Sequence, residues 1–211
     1  MKRRRGAALH AGSDSRAYQQ VVQEAARLLA QGEAVGFDDA RRKATNRLGI
    51  TLRQTPDNAA IEQAMLRYRI LFQTDDQAEQ LRHLRQTALQ AMRLLSPFEP
   101  RLVGPVLTGT ALPHSPVHLH LFADTAEAVA LFLLERNIPY AHDERRVRYT
   151  PDTWENLPLY RFVAGDITVE LTVFPAQGLR RRPLSPLDSR PMQRADAAAV
   201  IQLLDSETQP S

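Results

Sequence analysis

The stretch LVGPVLTGTALPHSPVHLHLF, Leu102 to Phe122, decides how the rest of the chain is read. Leu102 to Leu107 is a short apolar run, Gly104 and Gly109 mark a turn, and Val117 to Phe122 alternates with the two-residue period of a strand. On that second strand Val117, Leu119 and Leu121 face one side, so His118 and His120 share the other.

Upstream of this stretch the period is helical. Tyr18, Val21, Val22, Ala25, Leu28 and Leu29 recur at three- and four-residue steps, and Gly32 stands where a helix would stop. A second helix is expected from an Asp38 or Asp39 cap to Gly49, and a third from near Pro56 with Ile61, Ala64, Met65, Tyr68 and Phe72 in one stripe. The fourth runs from Thr74 or Asp75 to about Leu95, carries Leu81, Leu84, Ala88, Met92 and Leu95 inward, and ends at Ser96-Pro97. Residues 1 to 13 lack a hydrophobic period and are expected to form a disordered basic arm.

Downstream, Thr125 to Arg136 reads as a helix capped by Asp124 or Thr125 and stopped at Asn137. Arg145 to Tyr149 alternates as a half-exposed strand does. Leu159 to Ala164 and Ile167 to Phe174 flank Gly165-Asp166 and form a hairpin, with Glu170 between Val169 and Leu171. A proline-rich segment leads to a short helix over Ala195 to Leu204. The expectation is an α+β protein: a disordered arm over 1–13, a helical region over 14–97, a mixed β-sheet flanked by helices over 98–205 and a frayed tail over 206–211.

Composition sets bounds on function. The 211 residues suffice for one large domain or two small ones, and the absence of cysteine excludes disulfides. The basic start MKRRR is not followed by an apolar run of signal-peptide length, and no run approaches the roughly 20 apolar residues of a membrane span. A cytoplasmic protein with no membrane partner is therefore expected. Net charge is only +3, so local arginine clusters count for more than a global field. Arg145, Arg146, Arg148 and the run Arg180, Arg181, Arg182 are candidate nucleic-acid contacts, with solvated surface as the plain alternative.

Taken without a gap, Gly104 to Leu119 resembles the DNA polymerase β-like nucleotidyltransferase signature G-S-x-A-x-G-x-A-x-x-x-S-D-I-D-L. The resemblance implies a mixed sheet with a turn that holds a nucleoside triphosphate, two strand aspartates that bind two magnesium ions, and a third carboxylate on a later strand. Val169-Glu170-Leu171 resembles that third element. Gly104, Gly109 and Ser115 match the nucleotide-binding pattern, and Glu170 is the candidate catalytic carboxylate.

Two-metal phosphoryl transfer needs hard oxygen ligands to offset charge on the attacking and leaving oxygens. The turn serine is here Pro105, with neither hydroxyl nor N–H, and the two aspartates are Pro116 and His118. The ordinary magnesium arrangement is therefore not expected. His118, His120 and Glu170 are a candidate site for a His-ligated divalent metal, because imidazole suits zinc, nickel or copper. The plain alternative makes Glu170 a cross-strand partner of an arginine. His114 and Asp124 are further candidates, whereas His142, Asp143 and Glu144 cannot all converge because neighbours on a strand face opposite ways.

Three functions follow. One is a non-catalytic nucleotidyltransferase-fold protein that binds a nucleotide, RNA or a protein partner. Another is an active nucleotidyltransferase with an altered His/Glu metal site. The last is a structural or assembly protein acting through its helical half.

Overall fold

A computed structural model of the protein describes residues 5–72, 75–112 and 114–207. The chain divides into two compact units, Met1–Thr74 and Asp75–Ser211.

The first unit holds α1 (Arg5–Ala30), α2 (Phe37–Leu48) and α3 (Asn58–Phe72). Helix α1 begins inside the stretch expected to be a disordered arm. Ala7, Ala8, Leu9 and Ala11 are strong helix formers, and no proline interrupts them. The expected α1 stripe is buried at Val21, Val22, Ala25, Leu28 and Leu29, and α1 packs on α2 and α3, where Ala40, Ala44, Ile61 and Met65 are buried as well. The Phe72 side chain lies outside the described residues. Gly49 closes α2 in the left-handed conformation, as the sequence predicts.

The second unit is built on a five-stranded sheet in the order β1-β2-β5-β4-β3. The strands are β1 (Arg101–Val103), β2 (Val117–Ala123), β3 (Ala141–Thr150), β4 (Thr153–Ala164) and β5 (Ile167–Pro175). Only the central β2–β5 pair is parallel; the others are antiparallel, so the sheet is mixed. Helices α4 (Asp75–Leu94), α6 (Ala126–Glu135) and α7 (Ala197–Ser206) share one core with the sheet face that carries Val117, Leu119, Leu121, Val169, Leu171, Tyr160 and Phe162. Helix α4 thus belongs with the sheet, and the break between units falls at 74/75 rather than at 97/98. The change of texture at Pro100 is visible in sequence. The partner of the α4 stripe is not, because burial against a sheet uses the same residue types as burial against helices.

The opposite face carries His118, His120 and Phe122 of β2, Glu170, Thr172 and Phe174 of β5, Arg161 of β4, and Asp143 and Arg145 of β3. At one end Phe122, Phe174, Val147 and Leu157 form a small second core, joined by Leu179. The remainder of this face is polar. Both expectations for β1 and its turn need adjustment: the strand ends at Val103, and Pro105–Thr108 is a short helical turn, α5. Proline favours the first helical position, where its missing N–H is not needed. No helix among the described residues is long and apolar enough to cross a membrane.

Candidate functional site

Strand register brings Glu170 to the middle of the polar face. Counted out from the Gly165-Asp166 turn, Ala164 lies opposite Ile167 and Arg161 opposite Glu170, while the parallel pairing sets His118 on the other side of Glu170. Glu170 is 8% exposed, and both of its oxygens are engaged. Arg161 Nε donates to Oε1 at 2.8 Å. Arg145 Nη2 donates to Oε2, and His118 Nδ1 stands 3.0 Å from the same oxygen. Arg145 Nη1 is also 3.3 Å from His118 Nδ1, so the ring's tautomer decides whether it donates to the carboxylate or accepts from the guanidinium. Arg161 reaches on to Asp143 Oδ2 at 3.0 Å.

This setting holds the Glu170 carboxyl well below the usual carboxylate range. The hydrogen bond from His118 contributes most, with Arg161 and the charge of Arg145 adding to it against the opposing effect of burial. The group is an ionised carboxylate neutralised by guanidinium. It is not a proton-accepting base near neutral pH.

His120 stands one register step away, opposite Thr172, and belongs to a different set of contacts. It is 3% exposed; its Nδ1 accepts from Arg194 Nε at 3.1 Å, and its ring lies 4.5 Å from that of Phe174. Burial, with the nearby Arg194 and Arg145 charges, pushes its pKa well below 6.5, so it is neutral. Arg194 also donates to the carbonyls of Gly178 and Leu179 at 3.0 and 3.2 Å, and its guanidinium sits 4.9 Å from the ring centres of Phe122 and Phe174. Burial pushes Arg194 down to about 10.

His118, His120 and Glu170 therefore do not come together as one metal site. Among the described residues, no group of three His, Cys, Asp or Glu side chains is placed to hold a metal ion. The donor set also does not fit magnesium. One carboxylate is present where the chemistry wants several, and two guanidinium groups already satisfy it.

The three residues matched to nucleotide binding serve the loop. Gly104 has φ +71° and ψ −155°, a conformation open essentially to glycine, and a Cβ there would lie 3.3 Å from His118 Cδ2. It lets β1 turn into α5 directly beside the histidine. The N–H groups of Thr110 and Ala111 both donate to the Pro105 carbonyl, at 2.9 and 3.1 Å. Gly109 closes the turn in the left-handed conformation. Ser115 Oγ accepts from Leu112 N at 2.8 Å, which fixes the loop before β2. From α4, the buried Arg85 donates to the carbonyls of Val106 and Leu107 at 3.0 and 3.1 Å and pairs with Glu207.

The other candidates separate. His114 is exposed, and Thr125, not Asp124, caps α6 by accepting from Ala128 N at 3.3 Å. Asp143 joins the Arg161 contact, whereas His142 and Glu144 lie on the other face of β3. The same alternation splits the β3 arginines. Arg145 faces Glu170, while Arg146 and Arg148 lie across the sheet against Trp154. Sequence reasoning missed Arg161, Arg194 and Arg85. A signal existed for Arg161, since the two-residue turn fixes the hairpin register. No local pattern marks Arg194 or Arg85.

Comparison with known proteins adds little. No protein-family model matches the chain, and no curated protein matches it. Among solved structures, a chain from the structure of the GLD-2/RNP-8 complex is similar at 20% identity with a TM-score of 0.32, over 56% of this chain and 48% of that one. The chain thus spans about half the length of that neighbour, and a likeness at this level carries no argument about fold or activity.

Proposed function

We propose that the protein is a non-catalytic member of the nucleotidyltransferase fold, a scaffold that works by binding rather than by transferring nucleotidyl groups. The observation that carries this reading is the engagement of both Glu170 oxygens by Arg145, Arg161 and His118. The gapless match over Gly104 to Leu119 and the placement of Glu170 beside His118 support the ancestry. Pro105, Pro116 and His118 stand where a hydroxyl and two carboxylates would be required. The arginines provide in fixed form the positive charge that divalent cations would otherwise bring, so the carboxylate contributes to folding.

The test is incubation of the full chain with labelled nucleoside triphosphates, magnesium or manganese, and oligonucleotide or protein acceptors. No transfer above a blank is expected. Metal-dependent transfer that disappears in Glu170→Gln overturns the reading.

A further inference from the structure

On the far side of the sheet from Glu170, the end of the β3–β4 ribbon carries the chain's only tryptophan. Trp154 lies directly opposite Arg148 and one alternate residue from the Arg146–Asn156 pair. The guanidinium carbons of Arg146 and Arg148 lie 4.6 and 5.6 Å from its ring centre. Trp154 is 47% exposed, whereas Phe122, Tyr160, Phe162 and Phe174 of the same sheet are at most 6% exposed. An indole left half in water, with two guanidinium groups over its ring, offers its remaining apolar surface next to fixed positive charge.

A second basic segment lies against the same end. Leu184 N donates to the Arg148 carbonyl, and the Arg148 side chain bonds to Ser189. Arg181 lies 3.8 Å over the Tyr149 ring. These contacts bring the run Arg180 to Arg182 to the edge of the ribbon, with Arg181 on the Tyr149 side of it. Among the described residues, none of Arg146, Arg148, Arg180, Arg181 and Arg182 is ion-paired with a carboxylate, in contrast to Arg145 and Arg161. Of the nearby acidic residues, Asp152 sits in the turn, Glu155 lies on the Tyr149 side of the strand, and Glu144, on the Trp154 face, accepts from Asn156 Nδ2 at 3.3 Å.

We infer that this tip binds single-stranded nucleic acid, with a base stacked on Trp154 and phosphates held by Arg146, Arg148 and the 180–182 run. A phosphate-bearing strand matches guanidinium groups that have no carboxylate partner, and a base has a π-face that matches the exposed part of the indole. A duplex hides its base faces and offers only phosphates. The inference is independent of the catalytic status of the Glu170 side, because Trp154, Arg146 and Arg148 lie on the opposite face of the sheet and the two sites share no residue.

Trp154 is its own reporter. The full chain is titrated at low salt with oligo(U), oligo(dT), the matching duplex, heparin and polyglutamate, following tryptophan fluorescence and the anisotropy of labelled strands. Both single strands are expected to quench Trp154, and their ratio of affinities tells RNA from DNA as the preferred source. Trp154→Ala is expected to weaken binding about tenfold, within the range measured for base–aromatic stacking. Arg146→Ala with Arg148→Ala is expected to lower the slope of log affinity against log salt by about 0.7 for each lost phosphate contact. Circular dichroism confirms that each variant is folded. Equal binding of heparin and single strands with no effect of Trp154→Ala, tighter binding of polyglutamate, or no binding at low salt each overturns the inference.

Discussion

Replacing Glu170 with glutamine keeps the shape of the side chain and removes its charge. The carboxylate is 8% exposed and accepts from Arg145 while lying 3.0 Å from His118 Nδ1. Hydrogen bonds to charged groups contribute roughly 1.5–3 kcal/mol each, and breaking a fully buried ion pair costs about 3–5 kcal/mol. The Arg145 side chain retains 32% exposure, so water can take up part of the lost contact. The expected loss is about 2 kcal/mol at pH 7, a fall in midpoint of roughly 6 °C for a domain of this size. Urea titration followed by Trp154 fluorescence measures it, since that residue lies in the sheet unit and reports its unfolding. The pH dependence is the sharper part. Glu170 titrates lower in the folded protein than its ordinary value of 4.5, so the stability it adds is present above that pH and is lost as pH falls below it. Wild type and Glu170→Gln should therefore differ at pH 7, and the difference should shrink progressively as pH falls from 4.5 toward the much lower folded value. A difference below about 0.5 kcal/mol at pH 7, or one unchanged at acid pH, would refute the account of a charge-neutralised buried carboxylate.

Gly104→Ala should destabilise the sheet unit by about 2 kcal/mol in chemical denaturation, because alanine is strained at that backbone geometry and its Cβ would press on His118. Arg85→Met should cost about 3 kcal/mol by leaving the Val106 and Leu107 carbonyls without their donor. Adding Glu207→Gln to that variant should cost little more, and equal additive losses would show that the two do not act together. His120 is held neutral by burial, so the folded protein binds fewer protons than the unfolded chain below pH 6.5 and loses stability as pH drops through that value. His120→Gln keeps an acceptor for Arg194 and should flatten the stability profile between pH 6.5 and 5; an unchanged slope would remove His120 as its cause. Leu133→Ala, at a fully buried position of α6, should cost about 2–5 kcal/mol by leaving a cavity.

Much of the architecture is legible in the sequence wherever a local rule decides it. The alternation at Val117 to Phe122 places His118 and His120 on the side that they occupy, and Gly165-Asp166 marks the β4–β5 hairpin. Pairing across longer distances is less accessible. Leu102 to Leu107 reads as one apolar run, yet Gly104 and Pro105 end the strand and start a helical turn. His118 and His120 share a face but not a site, since the parallel register sets Glu170 opposite only the first. The arginine cluster shows the same limit: composition groups Arg145 with Arg146 and Arg148, and the pleat sends them to opposite faces. Arg194 lies 74 positions from the histidine that it bonds, and no spacing rule reaches that far.

The fate of Glu170 links these observations. A carboxylate beside magnesium-binding aspartates is kept ionised by the metal and is free to ligate it. With His118 rather than a carboxylate beside it, Glu170 would without the arginines be an uncompensated buried charge, which folding tolerates poorly. Arg161 is placed across from it by the hairpin register, and Arg145 reaches it from β3, so compensation comes from within the sheet. Each guanidinium that neutralises the carboxylate also takes a position that a cation would need. The residues that stabilise this centre are thus the ones that oppose its use as a metal site. Introducing an aspartate at position 118 alone should accordingly not create metal binding. His118→Asp places a second carboxylate against Glu170 and recruits the same two arginines, and isothermal titration with magnesium should remain flat. Measurable binding by that single variant would show that Arg145 and Arg161 yield readily and that the centre is a metal site only one substitution away.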